Sequence, residues 1–177
     1  MNHATSLRAG LAERIRDAFS GVCLREGISL RQAEVIDRHG VGYTDAEFDQ
    51  MKQSEIIDDW AKIPFSELER NNVAHLDAAG FRYYIPALML SVIDRHDSSS
   101  MWMIGTLSGL NPKKEFPVWA YHLERYSLLT FEQKRAIAEF LNVLPQMVPL
   151  NNEDQNIVKR ALSIYWNEFL PLHIPNR

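Results

Sequence analysis

The chain of 177 residues is 46% hydrophobic and 24% charged, the mixture of a globular protein and not of a disordered or fibrous one. Its length suffices for one domain with its own core, and its single cysteine, Cys23, excludes an internal disulfide. The net charge of -4 points away from nucleic acid, no apolar run approaches the about 20 residues that span a bilayer, and the first residues lack the apolar stretch of a secretory signal, so the expectation is a cytoplasmic protein.

Leu7, Leu11, Ile15, Phe19 and Val22 recur at steps of four and three, which predicts a helix from about residue 5 to 20, stopped by Gly21. SLRQ at 29–32 reads as a capping box that opens a second helix ending before Gly40, and TDAE at 44–47 repeats the device. Pro64 suits the first turn of a short helix carrying Phe65 and Leu68 inward, with Asn71 and Asn72 ending it.

GFRYYIPALMLSVIDRH, residues 80–96, admits two readings. GFRYYI is aromatic and β-branched like a strand, which makes Pro86 the first turn of a helix running to about Arg95. Alternatively Asp77 caps a single helix that continues through Pro86, with Phe81, Ile85, Leu88 and Val92 on one stripe. Residues 97–117, rich in serine, glycine and proline, allow a short helix embedded in loop, and FPVWAYHLERY is ambiguous between strand and helix.

Thr130 with Gln133 marks a third capping box, opening a helix whose inward set is Phe131, Ile137, Phe140, Leu141 and Leu144, ended by Pro145. A last helix starts near Asn151 or Asn152, carries Ile157, Ala161, Ile164, Tyr165 and Phe169 inward, and closes before Pro171. The fold class expected is mainly α, a single compact domain of six or seven helices, with at most one small β-hairpin built from GFRYYI or PVWAYHL.

Most chemistries leave no trace in these residues. The loose pairs His75 with Asp77, His96 with Asp94 and Asp97, and His122 with Glu124 match no paired metal motif, and residues two apart diverge in a helix or a strand, so no metal and no cofactor is expected. GxSxG, GxGxxG and GxxxxGK[ST] are absent, and nothing around Cys23 resembles a nucleophile turn.

The charge is unevenly spread. Residues 45–70 hold eight acids against three bases, a local balance of -5, while the remainder sums to +1. Trp60 lies in this segment directly after Asp58 and Asp59, and tryptophan is favoured as an interface anchor. One functional expectation is therefore a non-catalytic protein-binding module, of the kind of an immunity-type inhibitor, that holds a basic toxin or nuclease through Glu55, Asp58, Asp59 and Trp60. The alternative is an enzyme or small-ligand-binding protein whose pocket gathers Arg82, Tyr83, Tyr84 and His122 around the break at Pro86. In neither case is nucleic acid or a membrane the expected partner.

Three stretches, HLDAAGFRYYIPALML, RYSLLTFEQKRAIAEFLNVL and ALSIYWNEF, together resemble a bacterial family of small proteins classed only as a domain of unknown function. Its marks are an FRYYxPA segment, a Leu-Thr-x-x-Gln helix and a terminal Tyr-Trp. The resemblance covers roughly residues 10–167, and departs from the pattern where Ala87 and Leu88 follow Pro86 in place of an early aromatic. It implies a bacterial cytosolic protein and carries over no catalytic residue.

Overall fold

Side chains that bond the backbone two or three residues onward set most of the helix starts. The computed structural model describes residues 3–38, 43–53, 55, 58–70 and 73–171. In chain order it forms α1 (His3–Ala18), α2 (Leu30–Asp37), α3 (Asp45–Gln53), α4 (Phe65–Leu68), α5 (Ala78–Arg95), α6 (Met101–Gly109), α7 (Val118–Arg125), α8 (Phe131–Met147) and α9 (Asn152–Ile164). Short 3-10 turns lie at Trp60–Lys62, Val73–His75 and Trp166–Phe169. The fold is mainly helical, as expected, with nine α-helices among the described residues where six or seven were anticipated. The described residues contain no strand, so GFRYYI and PVWAYHL are both helical and the hairpin does not form.

All three capping boxes are present. Ser29 Oγ accepts from Gln32 N at 3.2 Å while Ser29 N donates to Gln32 Oε1 at 2.9 Å. Thr44 with Glu47, and Thr130 with Gln133, repeat the exchange. Each satisfies backbone donors that a helix start leaves without partners. Asp77 and Asn151 cap α5 and α9 with one bond each, to Gly80 N and Asp154 N, both at 2.8 Å. The stop after α1 uses Gly21 at φ +70°, a backbone conformation open to glycine.

Pro86 lies inside one continuous helix, α5, and so is not a helix start. The physical reason is burial. Eleven of the eighteen residues of α5, Pro86 among them, are buried, and the helix touches α1, α4, α6, α7 and α8. A helix covered on nearly every side shows no polar stripe, and tertiary packing outweighs the one hydrogen bond that proline removes. Pro145 is likewise internal, and α8 runs on to Met147. Phe131 is 60% exposed and not part of the inward set, because the first residue of α8 projects past the core toward Phe169, 5.9 Å away between ring centroids.

Around α5 the remaining helices, α3 apart, close a single core. α1 lies along α8, α9 packs on α8 and α6, and α2 joins α3 to the Val73–His75 turn. Trp166, fully buried, seals the far end, its indole N–H donating to the Leu110 carbonyl at 2.6 Å. No helix among the described residues is long and apolar enough to cross a membrane.

Candidate functional site

The acidic segment begins with α3, a helix that buries none of its residues. It is held against α2 by Gln32, whose Nε2 donates to the Phe48 carbonyl at 3.0 Å. Its acids divide into two sets. Glu67 accepts from Arg31 at 2.7 Å and from Arg70 at 2.9 Å, and these hydrogen bonds, Arg31 first, hold its carboxyl below the usual range. Asp59 caps the Trp60–Lys62 turn and pairs with Lys62 at 3.1 Å, which lowers its pKa. Glu47 is committed to the Thr44 cap, and Glu55 accepts the Tyr84 hydroxyl at 2.7 Å. Asp45, Asp49, Asp58 and Glu69 are exposed, and their carboxylates have no hydrogen bond or ion pair among the described residues.

Two members of the expected partner-binding set turn inward. Trp60 is 4% exposed and its indole N–H donates to the Phe19 carbonyl at 2.8 Å, so the ring belongs to the core and is not a surface anchor. The reason is local. Asp59, by capping the 3-10 turn, directs the next residue against α5 and the end of α1. Glu55 is drawn in by Tyr84. Of the four residues, Asp58 alone presents a carboxylate without a partner among the described residues.

The alternative set does not converge. Tyr83 and Tyr84 are buried, edge to face at 4.9 Å. Burial, and after it the nearby Asp59 and Glu55 respectively, push both phenols far above their ordinary pKa. Arg82 reaches the other way, where its Nε donates to Gln133 Oε1 at 3.0 Å. His122 sits on α7, tilted against Tyr126 at 6.0 Å between ring centroids, with Nδ1 buried and without a hydrogen-bond partner among the described residues. Its burial, reinforced by the Arg125 and Lys113 charges, lowers its pKa to about 4, so the ring is neutral at pH 7.

α7 carries the feature that sequence reasoning missed. Its two buried residues are His122 and Arg125, while Val118, Tyr121 and Leu123 are exposed, an inversion of the usual pattern. Arg125 donates from Nη2 to the Ala74 carbonyl at 2.7 Å, lies 4.5 Å from the Tyr121 ring centroid, and keeps Nε without an acceptor among the described residues. The Tyr121 hydroxyl donates to the same carbonyl. A cavity of about 290 Å³ opens beside them, walled by Ile28, Ile36 and Leu76. The three-residue spacing of His122 and Arg125, which places both on one helix face, was the available signal.

Among the described residues no three His, Cys, Asp or Glu side chains are placed to hold a metal ion. The Cys23 thiol is spent on the Asp58 carbonyl at 3.4 Å and the Gly21 carbonyl at 3.6 Å. Comparison with curated proteins and with solved structures finds no match. A family model does match, over residues 7–170, nearly the whole of the helical core described above, and the chain therefore belongs to that family, a family of unknown function designated DUF6714.

Proposed function

We propose that this protein is a non-catalytic binding module whose acidic face receives a basic protein, in the manner of an immunity-type inhibitor covering a toxin or nuclease. The observation that carries the reading is α3. It contributes no side chain to the core and holds Asp45 and Asp49 outward, with Asp58 and Glu69 as further exposed carboxylates without partners among the described residues. A helix with no fully buried residue adds little to stability, and unneutralised carboxylates attract and orient a cationic partner.

Trp60 has no part in this interface. Tyr43, 47% exposed and immediately before the α3 cap, lies two residues from Asp45, and tyrosine is a favoured anchor at interfaces. The test is purification of the tagged protein from its native cytosol beside a variant carrying Asp45→Lys, Asp49→Lys and Asp58→Lys. A stoichiometric basic protein held by the wild type and lost from the variant is expected, with association slowed and its salt dependence abolished in the variant. Emergence of the wild type alone, or a partner indifferent to the reversal, would overturn the reading.

A further inference from the structure

We propose that the cavity between α2, the Val73–His75 turn, the start of α5 and α7 binds a small monocarboxylic acid with an apolar body, with Arg125 as its counter-ion. Arg125 is 4% exposed, yet its partners among the described residues are the Ala74 carbonyl and the faces of Tyr121 and Phe81. Among the described residues no carboxylate pairs with it, and Nε has no acceptor. A buried guanidinium without an anion is an expensive arrangement unless an anion arrives. Arg125 lines the cavity, which places its charge against the space a ligand would fill.

A second feature converges on the same space. Asp77 and Ala78, the cap and first residue of the 18-residue helix α5, also line the cavity. The backbone donors and positive dipole end of a long helix favour a negative group there. The ligand's body is set by the apolar walls Ile28, Ile36 and Leu76 and by the Tyr121 ring. A volume of about 290 Å³ falls at the small end of ligand pockets, which excludes a nucleotide.

Its charge is set by the two exposed acids at the mouth, Asp77 and Glu124. Asp77 Oδ1 is occupied, accepting from Ile28 N at 2.9 Å and Gly80 N at 2.8 Å, but its charge remains. His75 is already engaged with Asp37 at 2.9 Å and adds no free cation. A phosphate dianion would meet both acids, whereas a single carboxylate is offset by the single guanidinium.

The experiment is titration of the full chain with 4-methylpentanoate and phenylacetate, each beside its neutral amide, and with inorganic phosphate, followed by ligand-observed NMR. Saturable binding of the acids is expected, with the amides at least about tenfold weaker, the loss of one charge-assisted hydrogen-bonded contact. Phosphate is not expected to compete. Ala78→Glu adds a further negative charge to the cavity wall at a helix position that tolerates acids, so it should abolish acid binding while the thermal midpoint holds. Arg125→Lys keeps the charge, loses the planar fork and should weaken binding. If Arg125→Lys fails to fold, Ala78→Glu decides. Equal binding of acids and amides, binding of neither, tighter binding of phosphate, or acid binding that survives Ala78→Glu would each overturn the proposal.

Discussion

His122 occupies a place where its charged form is not solvated, and that has a pH signature. Its pKa is lowered to about 4 by burial and by the Arg125 and Lys113 charges, against about 6.5 in an unfolded chain. Between those values the unfolded chain binds a proton that the native state refuses, so stability is full above about pH 6.5 and falls as the pH drops toward 4. At about 1.4 kcal/mol per pKa unit the full loss is about 3–4 kcal/mol. The lowered carboxyls of Glu47, Asp59, Glu67 and Asp97 act below this window, because their unfolded values lie near 4. Urea melts at pH 7, 6 and 5 should show the fall, and His122→Phe should flatten it. Gly80 is a second constrained position. A Cβ there would strike the Ile28 carbonyl oxygen and come within 2.9 Å of Asp77 Oδ1, while one on Gly27 would lie 2.7 Å from Gly80 N. Loop backbone therefore rests directly on the first turn of α5. Gly80→Ala, which in an open helix would stabilise, is expected to cost about 2–4 kcal/mol, read as a lowered thermal midpoint.

Helix starts were the part of the fold most legible in the sequence, because a capping box is a contact within four residues. Ser29 with Gln32, Thr44 with Glu47 and Thr130 with Gln133 all form as read. What was not legible depended on distant packing: the continuity of α5 through Pro86, the inward turn of Trp60, and the burial of Arg125 on α7. Gln133 shows how the two levels join. Its side chain closes the α8 cap, accepts from Arg82 of α5 at 3.0 Å, and donates to the Ala18 carbonyl at the end of α1 at 3.1 Å. The cap was foreseen and the other two bonds were not, since nothing local announces them. Gln133→Leu should therefore destabilise by about 2–4 kcal/mol, more than the about 1 kcal/mol of a lost cap. Gln133→Glu keeps both acceptor roles, loses the donor to Ala18, and should fall between; chemical denaturation of the three proteins would rank them.

Across the whole molecule, stability and charge are separated in space. The core gathers on α5, α8 and the closing Trp166, whereas α3 lies outside it and carries exposed acids. The acidic bias was visible in composition, but which acids remain available was not, because that depends on Arg31 and Tyr84 arriving from other elements as well as on the local pairs Lys62 with Asp59 and Arg70 with Glu67. This separation predicts a gradient in local opening. Amides of α5 and α8 can exchange only when the core unfolds, while those of α3 lose little buried surface on opening. Hydrogen exchange followed by mass spectrometry should thus find α3 exchanging at least about 100-fold faster than α5 under native conditions, a gap of about 2.7 kcal/mol. Equal protection of the two helices would mean that α3 is integral to the cooperative unit. If the acidic face is a binding surface, a bound cationic protein should slow exchange in α3 and leave α5 unchanged, since a ligand stabilises only the openings that destroy its site.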